Sequence, residues 1–157
     1  MNKLLFPAFY AGRTGLGLLA LRVVFGLAFV FHGWGKITSA FTWMGEDAAI
    51  PGILQAAAAF AEFGGGLALI LGLLTPLAAL GLVGTMIGAM TMVHLPAGHG
   101  FVTMGEPSYE LALVYGTTAL MFFLTGPGAY SVDALLFKAK GCCPHTHAEE
   151  RELTPTH

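Results

Sequence analysis

Four long apolar runs, at residues 15–37, 52–74, 77–95 and 109–124, dominate the sequence and leave a chain of 157 residues few ways to fold. About 20 mostly apolar residues carry a helix across the hydrocarbon core of a bilayer, and each run reaches or approaches that length. Charged residues make up only 10% of the chain, against roughly a quarter in an average soluble domain. That composition excludes a disordered tail and a secreted disulfide scaffold. The expected fold class is all-α, a single antiparallel four-helix bundle integral to the membrane, with the lipid bilayer as its first partner. Its parts read as an N-terminal interfacial segment at 1–14, a four-span membrane domain at 15–137 and a polar cytoplasmic tail at 138–157.

Further classes fall away on charge and cysteine. A formal net charge of -2 gives no electrostatic case for nucleic acid. The two cysteines, Cys142 and Cys143, are adjacent and lie outside every apolar run, so no C-x-x-C pair serves a dithiol reaction in the membrane. Lys3 and Arg13 precede an apolar run longer than a signal-peptide core, which reads as a retained first span.

The connections are uneven. Leu74-Thr75-Pro76 joins the second and third runs as a tight hairpin turn, whereas 38–51 and 96–108 form longer loops at the opposite end. Lys3, Arg13, Lys138, Lys140 and Arg151 collect on the face of the termini, and Lys36 stands alone among Glu46, Asp47 and Glu106 on the other. Positive charge in short segments marks the cytoplasmic side, so both termini are expected inside and the long loops outside. Gly26 with Gly33, Gly84 with Gly88, and Gly64-Gly65-Gly66 supply small residues for close helix packing.

Ionisable side chains within spans are costly and tend to mark a site. Here they are Arg22, His32, Lys36, Glu62, His94 and Glu110. With a rise of about 1.5 Å per residue, His32, Lys36, His94 and Glu110 all fall near the outer end. Glu62 lies roughly 13–15 Å deeper and Arg22 about 20 Å down by the same rise, close enough for a long side chain to attempt an Arg22–Glu62 ion pair. Glu62 is then either half of a structural ion pair or a proton-accepting carboxylate below a ligand pocket. Trp34 and Lys36 suit an interfacial anchor, but the interface has no need of His32. His32 with His94 is suited to hold a quinone carbonyl, relay a proton or ligate a metal.

Met86, Met90 and His94 recur at four-residue spacing, a stripe that a soft metal or haem would accept. Methionine at helical spacing is more often packing filler, and no H-x-x-x-H or C-x-x-C-H pattern is present, so no metal site is assigned and haem or metal ranks low. In the tail, Cys142, Cys143, His145 and His147 resemble a metal-binding tract by composition only.

Several segments together resemble the DoxX family: Phe31-His32-Gly33-Trp34-Gly35-Lys36, Ala61-Glu62-Phe63-Gly64-Gly65-Gly66, Leu73-Leu74-Thr75-Pro76, and Leu124 through Asp133 with its Gly126-Pro127-Gly128 core. The resemblance spans roughly residues 15–137. It implies a four-helix, multi-pass protein of the bacterial inner membrane or its archaeal counterpart. Some relatives are membrane subunits of thiosulfate:quinone oxidoreductase, and others belong to membrane complexes of thiol and oxidative-stress defence. Carried over by position, His32, Lys36 and Glu62 connect with the family's polar site. More distant relatives use a cysteine pair that this chain lacks.

The expected function is that of a small membrane-integral subunit of a quinone-linked oxidoreductase, with a polar site near the outer face. Glu62 and His32 are the expected catalytic groups; His32, Trp34, Lys36, Glu62, His94 and Glu110 the expected ligand contacts; and quinone the expected ligand. A quinone site needs a flat apolar slot, hydrogen-bond donors and a proton route, and the spans offer all three. No side chain here carries electrons, so a flavin, a haem or a partner subunit would deliver them. The competing expectation is a non-catalytic accessory or assembly subunit packed against a larger membrane complex. A small-solute carrier ranks lower, because four short helices leave little room for alternating access.

Overall fold

A computed structural model describes residues 9–138, and the tail tract with Cys142, Cys143, His145 and His147 lies outside them. The four apolar runs are four helices: α1 (Gly12–Ile37), α2 (Gly52–Leu71), α3 (Thr75–Ala89) and α4 (Glu110–Thr125), followed by a short α5 (Val132–Lys138). A π-helical turn, Met90–His94, continues α3. With that turn, α1, α2 and α3 are each long and apolar enough to cross a membrane, and α4 is a shorter apolar helix of 16 residues. Among the described residues there is no strand, only the single bridge between Gly100 and Ser108.

Consecutive helices pack side by side and run antiparallel, α1 on α2, α2 on α3 and α3 on α4. Aromatic side chains close the ring. Phe25 and Phe29 of α1 meet Tyr115 of α4 at ring distances of 5.6 and 5.1 Å, and Phe25 lies 5.6 Å from Phe122. Leu69, Leu82, Ala119 and Phe122 complete a core contributed by all four helices. The outward faces carry Val24, Phe31, Ile53, Phe60, Leu77 and Ile87, all exposed. Such faces are costly in water and natural in lipid, where the tails are as apolar as leucine.

The α1–α2 contact is a backbone contact. A methyl group placed on Gly26 would fall 2.7 Å from the Gly66 carbonyl oxygen, and one on Gly33 would fall 2.6 Å from the Phe63 nitrogen. Gly84 and Gly88, expected to serve the same purpose, have nothing within 4 Å and face open space instead. The α2–α3 hairpin is tight at its turn. Gly72 ends α2 at φ +67, and the Leu73 N–H bonds back to the Ala68 carbonyl at 2.9 Å. The helix therefore stops three residues before the end of the apolar run.

Across from that turn lies the α4–α5 connection. The Asp133 carboxylate accepts the backbone N–H groups of Leu74 and Thr75 at 2.8 and 2.9 Å, capping α3 from outside its own sequence. Arg22, almost fully buried, donates to the carbonyls of Pro127 and Tyr130, the latter at 2.7 Å. The Ala129 N–H bonds the Tyr10 carbonyl at 2.8 Å, so both ends of the described chain meet at the turn end of the bundle. The two long loops occupy the other end.

Candidate functional site

The inward stripe of α1 is Arg22, Gly26, Phe29 and Gly33, each buried and spaced four, three and four residues apart, and it continues to Lys36 in the last turn. The inward stripe of α2 is Gln55, Ala59, Glu62, Gly66 and Leu69 by the same spacing. The antiparallel register sets Gly33 against Phe63 and Gly72 against Arg22. Glu62 thus lies at the level of Lys36, and Arg22 lies about 21 Å from Lys36 along its own helix.

The expected Arg22–Glu62 pair is accordingly not the one formed. Lys36 Nζ donates to both Glu62 oxygens, at 2.6 and 2.7 Å. The Glu62 side chain is 3% exposed and that of Lys36 25%, so the carboxylate is enclosed while the ammonium keeps one open side. A charge pair this enclosed is tolerated because each ion satisfies the other's hydrogen-bonding capacity. Lys36 Nζ also lies 4.6 Å from the centre of the Trp43 ring, close enough for a cation–π contact.

This pair lines a cavity of about 420 Å³ between α2, α3 and the 38–51 loop. Apart from Lys36, Glu62, Gln55 and Thr85, its walls are apolar or small, with Ala57, Ala58 and Ala61 on α2 facing Gly81, Gly84 and Gly88 on α3. The volume falls in the range of roughly 300–1,000 Å³ typical of small organic ligands. The loop over the cavity is fastened by Gln55. Its side-chain oxygen accepts the Met44 N–H at 3.0 Å, its amide donates to the Ile50 carbonyl at 2.9 Å, and its own carbonyl accepts the Trp43 indole N–H at 2.9 Å.

The other expected site residues lie at the same end of the bundle but apart from the cavity. His32 falls one residue off the inward stripe of α1, bonds the Ala28 carbonyl at 2.7 Å through Nδ1 and meets the Tyr115 ring of α4 edge-on at 5.8 Å. Trp34 is exposed and contacts Phe63 at 5.8 Å. The π turn interrupts the Met86–Met90–His94 stripe: Met86 joins the core, and His94 Nδ1 faces His99 Nδ1 at 3.0 Å. Glu110 opens α4 and is exposed. Among the described residues no group of three or more His, Cys, Asp or Glu side chains converges as metal ligands.

Sequence reasoning missed Trp43 and Gln55. Gln55 had a signal, since it precedes Glu62 by two helical turns on one face of an otherwise alanine-rich segment. Trp43 had none, because its position depends on the path of a loop.

A profile of the DoxX family matches residues 17–95. The chain is 34% identical over 125 residues to the Escherichia coli (strain K12) protein named "Inner membrane protein YqjF", a match covering 78% of this chain and 94% of that one. It is 29% identical over 128 residues to the Bacillus subtilis (strain 168) protein named "Putative oxidoreductase CatD", covering 80% and 90% respectively. No solved structure matches. With helices built to cross a bilayer and a family profile over half its length, the chain belongs to the DoxX family of membrane proteins.

Proposed function

We propose that this protein is a small subunit of a quinone-linked oxidoreductase of the inner membrane, with both termini cytoplasmic and the cavity toward the outer face. The observation that carries the reading is an enclosed carboxylate, paired with a lysine that keeps an open side, in the wall of an otherwise apolar cavity. An oxidoreductase reading is supported by the name of the B. subtilis relative, and the inner membrane by that of the E. coli relative.

The residues present suit a quinone headgroup. Ala58 and Ala61 of α2 with Gly81 of α3 leave a slot for the headgroup, and Trp43 offers a flat wall beside the ammonium. When bound, a quinone supplies two carbonyl oxygens and accepts two electrons, which a partner subunit delivers, and two protons. Lys36 Nζ is placed to donate a hydrogen bond to one carbonyl oxygen and to favour negative charge developing there. In this reading a Glu62 carboxylate oxygen passes the proton, beside the ammonium that it accepts from. His32 stands outside this scheme, on the α4 side of α1.

Native mass spectrometry of the protein, gently extracted from its own membrane, tests the proposal. The expected result is a stoichiometric quinone mass retained by the wild type and lost by Glu62→Gln, which keeps the fold. A bare chain bound stoichiometrically to a larger protein would overturn it and favour an accessory subunit.

A further inference from the structure

We infer that the cavity is loaded sideways from the bilayer, and that its ligand is a tailed, lipid-soluble quinone whose apolar chain leaves between Ala57 of α2 and Gly84 of α3. This rests on the quinone reading and adds the substrate subclass and the residues that select for it. The cavity has two unlike edges. On the inner edge Gln55 and Glu62 are buried, with Lys36 reaching over from α1. On the outer edge Leu54, Ala57, Gly84 and Met92 line the same space and are exposed.

The shape of the hairpin explains the opening. Near its turn α2 and α3 are in contact: a methyl group on Gly65 would lie 3.5 Å from the Leu82 side chain, and one on Gly81 would lie 3.6 Å from the Ala61 side chain. One turn further, at Gly84 and again at Gly88, nothing lies within 4 Å. The helices therefore diverge toward the loop end, and alanine and glycine on the facing surfaces leave the gap unfilled. Gly84 is the tenth of the 20 residues from Thr75 to His94, so the gap opens midway along a helix built to cross the membrane. At that depth the neighbouring medium is hydrocarbon, not water. The long loop 38–51, fastened by Gln55, covers the end of the cavity that would otherwise face outward. A polar group at the inner edge and an apolar opening at mid-depth fit a molecule with a hydrogen-bonding head and a long hydrocarbon tail.

The tail gains no hydrophobic energy on leaving lipid for the gap, so affinity for the tail is the wrong readout, and steric exclusion is the right one. Two quinones with one headgroup, one carrying an isoprenoid chain and one carrying only a methyl group, are titrated into lipid nanodiscs holding the full chain. Concentrations are expressed per mole of lipid. The signal is quenching of Trp43 fluorescence in a Trp34→Phe background, since the chain has two tryptophans. Gly84→Leu and, on the facing helix, Ala57→Leu each place a bulky side chain in the opening, where both residues are exposed and neither supports the core. Each is expected to weaken the tailed quinone more than about tenfold while leaving the methyl analogue within about twofold. An unchanged melting temperature confirms that the fold is intact. If neither variant distinguishes the two quinones, the tail does not leave by this gap and the inference is overturned. If no quinone quenches Trp43 even in the wild-type site, the quinone reading itself fails, an outcome that the variants are not needed to recognise.

Discussion

Lys36 and Glu62, 26 positions apart on antiparallel helices, meet in a two-pronged ion pair with Nζ 2.6 and 2.7 Å from the carboxylate oxygens. The pair exists because Gly26, Gly33 and Gly66 let the two backbones touch and so fix the register. The ion pair at the cavity is thus bound up with the closest packing in the bundle.

Removing one partner of this pair leaves the other exposed to its desolvation cost. Lys36→Met is expected to destabilise the protein by about 2–3 kcal/mol, somewhat less than the roughly 3–5 kcal/mol of a fully buried pair because Lys36 is partly open. The double variant Lys36→Met with Glu62→Leu should recover most of that loss, since no unpaired charge remains. Melting temperatures in one detergent decide it, and equal values for single and double variants would show that the unpaired carboxylate is not the cause.

Gln55 fastens the 38–51 loop through its side-chain oxygen and its amide group. Gln55→Leu keeps the helix and the bulk but loses both bonds. Hydrogen exchange should rise at the Met44 amide and through the loop while the amides of α1 and α3 stay protected. Uniform loss of protection would instead mean that Gln55 supports the whole bundle.

The spans were legible because an apolar run of bilayer length has one economical fate, and the helix ends lie within about three residues of the run ends once the π turn is counted with α3. The site was legible in its charges and not in its pairings. Lys36 and Glu62 stood out as costly residues within spans, but which cation reached Glu62 depended on a register written in glycine contacts between two helices. Depth alone left Arg22 a candidate; the register puts it beside Gly72, bonded to carbonyls of the α4–α5 connection. His32 is set apart from the pair for a related reason. Its level along α1 suits the cavity, but a shift of one residue around the helix turns it to α4.

Asp133 does for α3 what a local cap would do, from a segment 58 residues away. Leu74, at the position before α3, has φ +47 and no side chain able to accept the free N–H groups. Asp133→Ala should therefore cost about 1–2 kcal/mol, the usual range for loss of a helix cap, with more expected if the freed N–H groups find no water. Asp133→Asn should cost less, because its amide oxygen still accepts one of the two bonds. Thermal melting of the three proteins should rank wild type, Asn and Ala in that order, and an Ala variant as stable as wild type would remove Asp133 from the fold's support.

The helical glycines among the described residues include two kinds that a sequence cannot separate, and substitution by alanine should separate them. At Gly26 and Gly33 a methyl group would fall within 3.0 Å of backbone atoms on α2, so it must push the helices apart and disturb the register that pairs Lys36 with Glu62. At Gly64 and Gly84 it would meet nothing within 4 Å, and both positions lie inside helices, where alanine is favoured over glycine by roughly 0.5–1 kcal/mol. Gly64→Ala and Gly84→Ala are expected to melt at or above the wild-type temperature. Gly26→Ala and Gly33→Ala are expected to melt well below it, and any quinone retained by the wild type should be lost with them. A Gly33→Ala protein as stable as wild type would mean that α1 and α2 do not touch at Phe63, and the register that carries the ion pair would have to be set elsewhere.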